Sequence, residues 1–503
     1  MSKTKSKSFE PFRSLLARKR RLAPVKTGGE NAVFKGLLLV LLAILPIILF
    51  FSYYPLISLG SDSTMNFELS LPLIFLLLFD IAALTYMLIN FRFSRKYEGL
   101  SDRKIFILSW FPFFATISVF WSANPLRATL TAGILWALFF AFFALTHLFK
   151  KIKKTTKIKI LKIFFIGSLV ICAWCWLQCI LDVIGVSRDT TLLCAGCTYQ
   201  SFGFPHPNGF AIEPQFMGNL LLAPTLLSIY LLITRKKYQK TYLLLTILFS
   251  ATLFLTFSRG AIYSFVIALI LLLTIWIIRH KKFKKSLLVL CSTSVAFLFT
   301  LTMQGIFSSF SPTSDTFLTG VTKSIHQLSL GIIDIRNFNE PQNITENTTN
   351  STQNGSNITT INSDFSGYVP ESTNTRLELS DLALSTWSQD AKTVLIGVGL
   401  GGAGVAIHRN FPNQVDSKEI IQNQYISILL ELGIIGIIFL IVSLIIIFRT
   451  FWHHKARIFL FSLLLAYAIS LCFFAGLPNA LHIYLLPPLL YLVLKPNSKT
   501  KSN

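Results

Sequence analysis

Twelve apolar runs, at about 34–54, 69–90, 105–121, 130–148, 163–184, 214–233, 242–257, 261–278, 286–306, 425–448, 458–475 and 481–494, decide what this chain can become. A helix needs roughly 17–25 mostly apolar residues to cross a bilayer. Lipid offers no partner for a bare backbone N–H or C=O, so a run of this kind is expected to be helical. With 53% hydrophobic residues the chain has far too little polar surface to cover itself in water. The expected fold is an all-α polytopic membrane protein with about twelve transmembrane helices and a large extracytoplasmic loop between spans nine and ten.

A net charge of +24 would suit nucleic acid if it lay on one face. It does not. Of the 46 Lys and Arg residues, 37 fall in the two tails and in every second loop, and nine fall in the loops between. Basic loops alternating with neutral ones are what the positive-inside rule produces. Both termini are therefore expected in the cytoplasm, and nucleic acid is not an expected partner. The corresponding organisation is a basic cytoplasmic tail at 1–33, spans one to nine across 34–306, an extracytoplasmic loop at 307–420, spans ten to twelve across 421–494 and a cytoplasmic tail at 495–503. Within the loop, 312–372 is rich in Ser, Thr and Asn and too polar to bury a core, so it is expected to be flexible. Residues 375–404 are expected to form a helix and a glycine-rich turn.

The polar residues that stand out all fall on the outer side. The loop holding Arg188 carries Gly203, Pro205, Pro207, Asn208 and Gly209, which rule out a regular helix there. It ends at Glu213, just ahead of a proline suited to open span six. Spans seven and eight meet at Arg259 with almost no loop. An arginine at the membrane boundary is costly unless paired or facing water, so it marks a site. Thr375 and Glu378 form a capping box, which puts Arg376 in the first turn of a helix, where unpaired N–H groups favour a phosphate. Gly397, Gly399, Gly401, Gly402 and Gly404 make a turn with no preceding strand, so no dinucleotide fingerprint is read. Gln424, Ser427 and Glu431 share one helical stripe, and a carboxylate that deep calls for an arginine of the same site.

Two arginines suit a diphosphate, because guanidinium contacts stabilise the charge that develops on such a leaving group. Glu213, His408, Glu431 and His482 are the candidates to move a proton. No Asp-x-Asp occurs, which argues against a metal-dependent nucleotide-sugar transferase. Cys194 and Cys197 form a CxxC that reads as a local disulfide or half a metal site; with no second ligand pair at suitable spacing, no metal is expected. No cofactor is expected either.

These residues carry a resemblance. The Ser-Arg-Gly turn at 258–260, Arg376 with Trp387 eleven residues on and Gly-Val-Gly-Leu-Gly at 397–401, and Asn423 with Gly433 and Gly436 resemble the bacterial O-antigen ligase and O-antigen polymerase family. Its members are integral membrane glycosyltransferases that use undecaprenyl-diphosphate-linked glycans. The resemblance implies a donor of that type, a saccharide acceptor, a bilayer of the inner membrane and an extracytoplasmic active site. Arg259 and Arg376 would bind the diphosphate, with Arg188, Gln422, Asn423 and Gln424 in support. One position departs: the family's histidine is Gln422 here, and glutamine cannot act as a base near neutral pH. Three readings follow: another base among Glu213, His408 and Glu431, a polymerase-like branch, or a non-catalytic relative. A carrier or flippase for a lipid-linked sugar is the alternative from another class.

Overall fold

The computed structural model describes residues 30–51, 55–59, 67–89, 102–149, 152–184, 206–211, 213–310, 316–329, 365–477 and 480–495. In chain order the helices are α1 (Glu30–Ile48), α2 (Leu71–Ile89), α3 (Asp102–Ile117), α4 (Pro125–Phe149), α5 (Lys154–Val183), α6 (Pro214–Thr234), α7 (Gln239–Leu255), α8 (Arg259–His280) and α9 (Phe283–Phe310). Three short or polar helices follow α10 (Phe317–Leu328): α11 (Phe365–Trp387), α12 (Ala391–Ile396) and α13 (Ala403–Asn410), then α14 (Gln424–Trp452), α15 (Arg457–Ser470) and α16 (Leu481–Leu494). A two-stranded antiparallel ribbon, β1 (Pro55–Leu59) against β2 (Phe67–Ser70), joins α1 to α2.

By length and composition, eight of these helices can cross a membrane: α2 to α6, α8, α9 and α14. Four shorter apolar helices, at Gly36–Ile48, Gln239–Leu255, Arg457–Ser470 and Leu481–Leu494, coincide with the other four apolar runs of the sequence. Ile81, Ile166, Val170, Ile270, Leu298 and Ile438 stay exposed on the bundle surface. So much outward apolar surface belongs in lipid, not water. Of the eight, α6 is the most sealed from that surface. Sixteen of its 21 residues are buried, from Met217 to Ile233, and it packs on α7, α8 and α15.

Two expectations need correcting. The helix holding Arg376 begins at Phe365, ten residues before Thr375, so Thr375 is not its N-cap and Arg376 is not in the first turn. The local capping signal is overridden because the preceding residues also take up the helix. Phosphate binding by that helix terminus is therefore no longer an argument for Arg376. Part of the stretch expected to be flexible is also helical. Phe317, Val321, Ile325 and Leu328 recur at helical spacing, Thr316 caps the start by accepting the Thr319 N–H at 3.2 Å, and α10 packs onto the end of α9.

Candidate active site

The site is built at the end of the bundle where α6, α8 and α14 all begin. Glu213 is the N-cap residue of α6 in position, with Pro214 after it, yet its side chain makes no capping hydrogen bond. The carboxyl is thus not spent on closing its own helix. One turn on, the bare Cα of Gly218 lets α8 close in: a Cβ there would stand 2.7 Å from the Ala261 Cβ and 3.2 Å from that of Ser258. This brings Arg259, the first residue of α8, beside the start of α6. Ser258 caps α8 by accepting the Ala261 N–H at 3.4 Å. The chain reverses into that cap through Phe257, buried at φ 47, a conformation costly for a bulky residue and typical of sites where surroundings over-determine the backbone.

Arg376 reaches the same place from outside the bundle. It lies near enough to Glu213 to act on its charge. Water reaches Glu213, but protein crowds it on several sides, and that partial desolvation raises its pKa above the ordinary carboxylate value; Arg376 pulls the other way. Arg259 acts electrostatically on Tyr263, one turn into α8, and Tyr263 donates its hydroxyl to the Leu328 carbonyl at the end of α10, 2.5 Å away. The loop at 471–477 covers the inner side: Phe473 packs over Gly260, and Gln215 donates to the Phe473 carbonyl at 3.0 Å.

Glu431 has different neighbours from those the sequence led us to expect. Its carboxylate is approached by the backbone N–H groups of Gly401 and Ala403 and by the guanidinium of Arg127, at the start of α4. The partner is Arg127, not Arg259 or Arg376. Around them the glycine turn docks backbone to backbone on α14. Val398 N–H donates to the Leu430 carbonyl and Gly399 N–H to that of Glu431, each at 2.9 Å. Docking needs a break in α14, which Gly433 supplies at φ 64 and ψ −166. Gly433 thus sets the break on which the glycine turn docks.

The remaining candidates separate into structural and open positions. Asn423 caps α14, its Oδ1 accepting the N–H groups of Tyr425 at 3.0 Å and Ile426 at 3.2 Å. Gln424 pins the 471–477 loop: its Oε1 accepts from Gly476 at 2.6 Å and Leu477 at 3.2 Å. His408 is bonded through Nδ1 to the Val415 carbonyl at 2.6 Å and acts on Asp416, so it tethers the following loop and is not brought to the arginines by any of these contacts. Gln422 is half-buried in non-helical backbone ahead of the cap. His482 is buried beside Tyr467 inside the bundle. Arg188, Cys194 and Cys197 lie outside the described residues. Among the described residues no three His, Cys, Asp or Glu side chains could share a metal ion.

Arg127, Glu431, Gln424 and Ser427 line a cavity of about 620 Å³ including its mouth. Phe111, Leu135, Gln424, Ile428 and Leu477 are shared with a second, apolar groove of about 1390 Å³ that continues between α3, α4, α14, α15 and α16 as far as Phe451. Polar cavity and apolar groove thus adjoin.

Fold and site define a polytopic membrane protein with charged residues gathered at one end of its helix bundle, beside an apolar groove between helices. Residues 244–441 match the family model described as O-antigen ligase, so this segment of the chain is similar to that family. No curated protein sequence matches the chain. The matched segment holds Arg259, Arg376, Asn423 and Glu431, whereas Glu213 and Arg127 come from outside it.

Proposed function

We propose that this protein is a membrane glycosyltransferase of the O-antigen ligase or polymerase type, moving a glycan from a polyprenyl-diphosphate carrier to an acceptor sugar. It does so at the outer face of the cytoplasmic membrane. The chain crosses twelve times, with the basic loops and both termini inside. Arg259 and Arg376 hold the diphosphate. The observation that carries the reading is the meeting of Glu213 with Arg376, two residues 163 positions apart, at the start of the bundle's central helix.

Chemically, the acceptor hydroxyl attacks the anomeric carbon as the bond from that carbon to the diphosphate oxygen breaks. The proton passes to the Glu213 carboxylate, and the diphosphate leaves on its lipid with its new charge held by the two arginines. Glu213 is preferred to Glu431 because it stands by Arg376, whereas Glu431 is engaged by Arg127 and the backbone of the glycine turn. The polyprenyl chain lies in the apolar groove, whose walls include Phe139, Phe142 and Leu440.

The test is turnover by the purified chain given a lipid-diphosphate-linked oligosaccharide, with products resolved by size and by lipid attachment. A ladder of longer lipid-linked chains means polymerase, and one discrete transfer to a second acceptor means ligase. Lipid binding without any turnover, unchanged in Arg376→Ala, would remove the assignment.

A further inference from the structure

At the opposite end of α14 from Glu431, a cavity of about 760 Å³ including its mouth opens between the ends of α3, α14 and α16. Lys104, Arg449, Lys455 and Lys495 line it, and none of the lining residues carries a carboxylate. Basic side chains at a membrane surface are ordinary, and alone they say nothing. What distinguishes this place is His454, which also lines the cavity although only 6% of it is exposed. Its Nδ1 accepts the Ala456 N–H at 3.0 Å. Burial, with Lys495 and Lys157 nearby, pushes its pKa down to about 4, so the ring is neutral. A neutral imidazole that accepts at Nδ1 carries its hydrogen on Nε2. That Nε2–H is buried and has no hydrogen-bond partner.

A buried donor without an acceptor is costly, and native proteins rarely leave one without a reason. The other lining side chains are four cations, His453 and the hydroxyls of Thr450 and Tyr491, and none of them accepts from the ring. A phosphate-bearing anion would satisfy the histidine and neutralise the lysines and arginine together. We propose that this cavity binds a phosphate group, with the Nε2–H of His454 as inner donor and Arg449 and Lys455 closing over it from the surface. Two sources carry that chemistry: the head group of an anionic phospholipid and free phosphate. The cavity lies between the ends of membrane-type helices, where basic recesses take lipid head groups, which favours the lipid.

The experiment uses the full chain in neutral detergent, with lipid adducts counted by native mass spectrometry. Phosphatidylglycerol and phosphatidylcholine are added separately, and millimolar inorganic phosphate serves as competitor. The expected result is retention of phosphatidylglycerol over phosphatidylcholine, with affinity about tenfold weaker in His454→Phe, the loss expected for one charge-assisted hydrogen bond. The double variant Arg449→Ala/Lys455→Ala keeps the buried ring and alters only exposed side chains, and it should weaken binding at least as much. Retention that phosphate does not displace identifies the lipid as source. Displacement by phosphate supports the same site with a soluble occupant. Equal retention of the two lipids, or no change in either variant, overturns the proposal.

Discussion

Gly397 and Gly433 face each other's neighbours reciprocally. A Cβ on Gly397 would stand 2.3 Å from the Glu431 carbonyl carbon and oxygen, and one on Gly433 would stand 2.4 Å from those of Leu395. Both have φ and ψ near +70° and 180°, a region that is essentially glycine's alone. The turn and the helix break are therefore one joint, made of bare backbone on both sides.

Alanine at either position should open that joint. The strain alone is worth about 1–3 kcal/mol, before the clash with a carbonyl that cannot move freely. Gly397→Ala and Gly433→Ala should each lower the melting temperature in detergent and reduce transfer severely. A variant with normal stability and full turnover would show that the joint is not needed.

The Glu431 carboxylate holds the same joint from its polar side. Loss of Arg127 or of Glu431 should each cost about 1–3 kcal/mol, the range for hydrogen bonds to a charged group. If the two act as a pair, the double variant Arg127→Ala/Glu431→Ala should cost much less than the sum of the single changes. Additive losses in that thermal-melt cycle would separate them.

Asn423 belongs to the sequence signature that suggested a ligase, yet its side chain works as an N-cap. Asn423→Ala should cost about 1 kcal/mol of stability, and Asn423→Ser should restore most of it, because serine caps nearly as well. Chemical denaturation of the three proteins reads this directly. If serine were as damaging as alanine, while turnover fell far more than stability, the residue would have a chemical role instead.

The membrane class, the apolar helices and the positions of Arg259, Glu213 and the glycine turn were all legible in the sequence, because each rests on local signals: hydrophobic length, a helix-opening proline, glycine spacing. Arg127 was not, although it stood among the nine cations of the less basic loops and follows a helix-opening proline just as Glu213 precedes one. Its role depends on the start of α4 meeting the glycine turn and α14, hundreds of residues further along the chain, and no local pattern encodes that contact. The capping box at Thr375 failed for the converse reason: a sound local signal lay inside a helix that starts upstream. The change from histidine to Gln422 is visible in sequence, but the residue that compensates can be sought only in three dimensions.

Glu213 offers the sharpest test of that compensation. As a base it must be ionised, so turnover should fall as pH drops through its pKa. Crowding has raised that pKa, so the loss should begin at higher pH than for a free glutamate, while Arg376 holds the rise in check. Replacing Arg376 by glutamine removes the opposing charge and leaves the desolvation. The acid limb of the pH–rate profile should then move to higher pH, on top of the loss of rate from weaker diphosphate binding. Glu213→Gln should lower kcat by roughly 100- to 10,000-fold and abolish that limb, since glutamine has no proton to lose in this range. An acid limb that survives in Glu213→Gln would assign the titration, and with it the proton transfer, to another group.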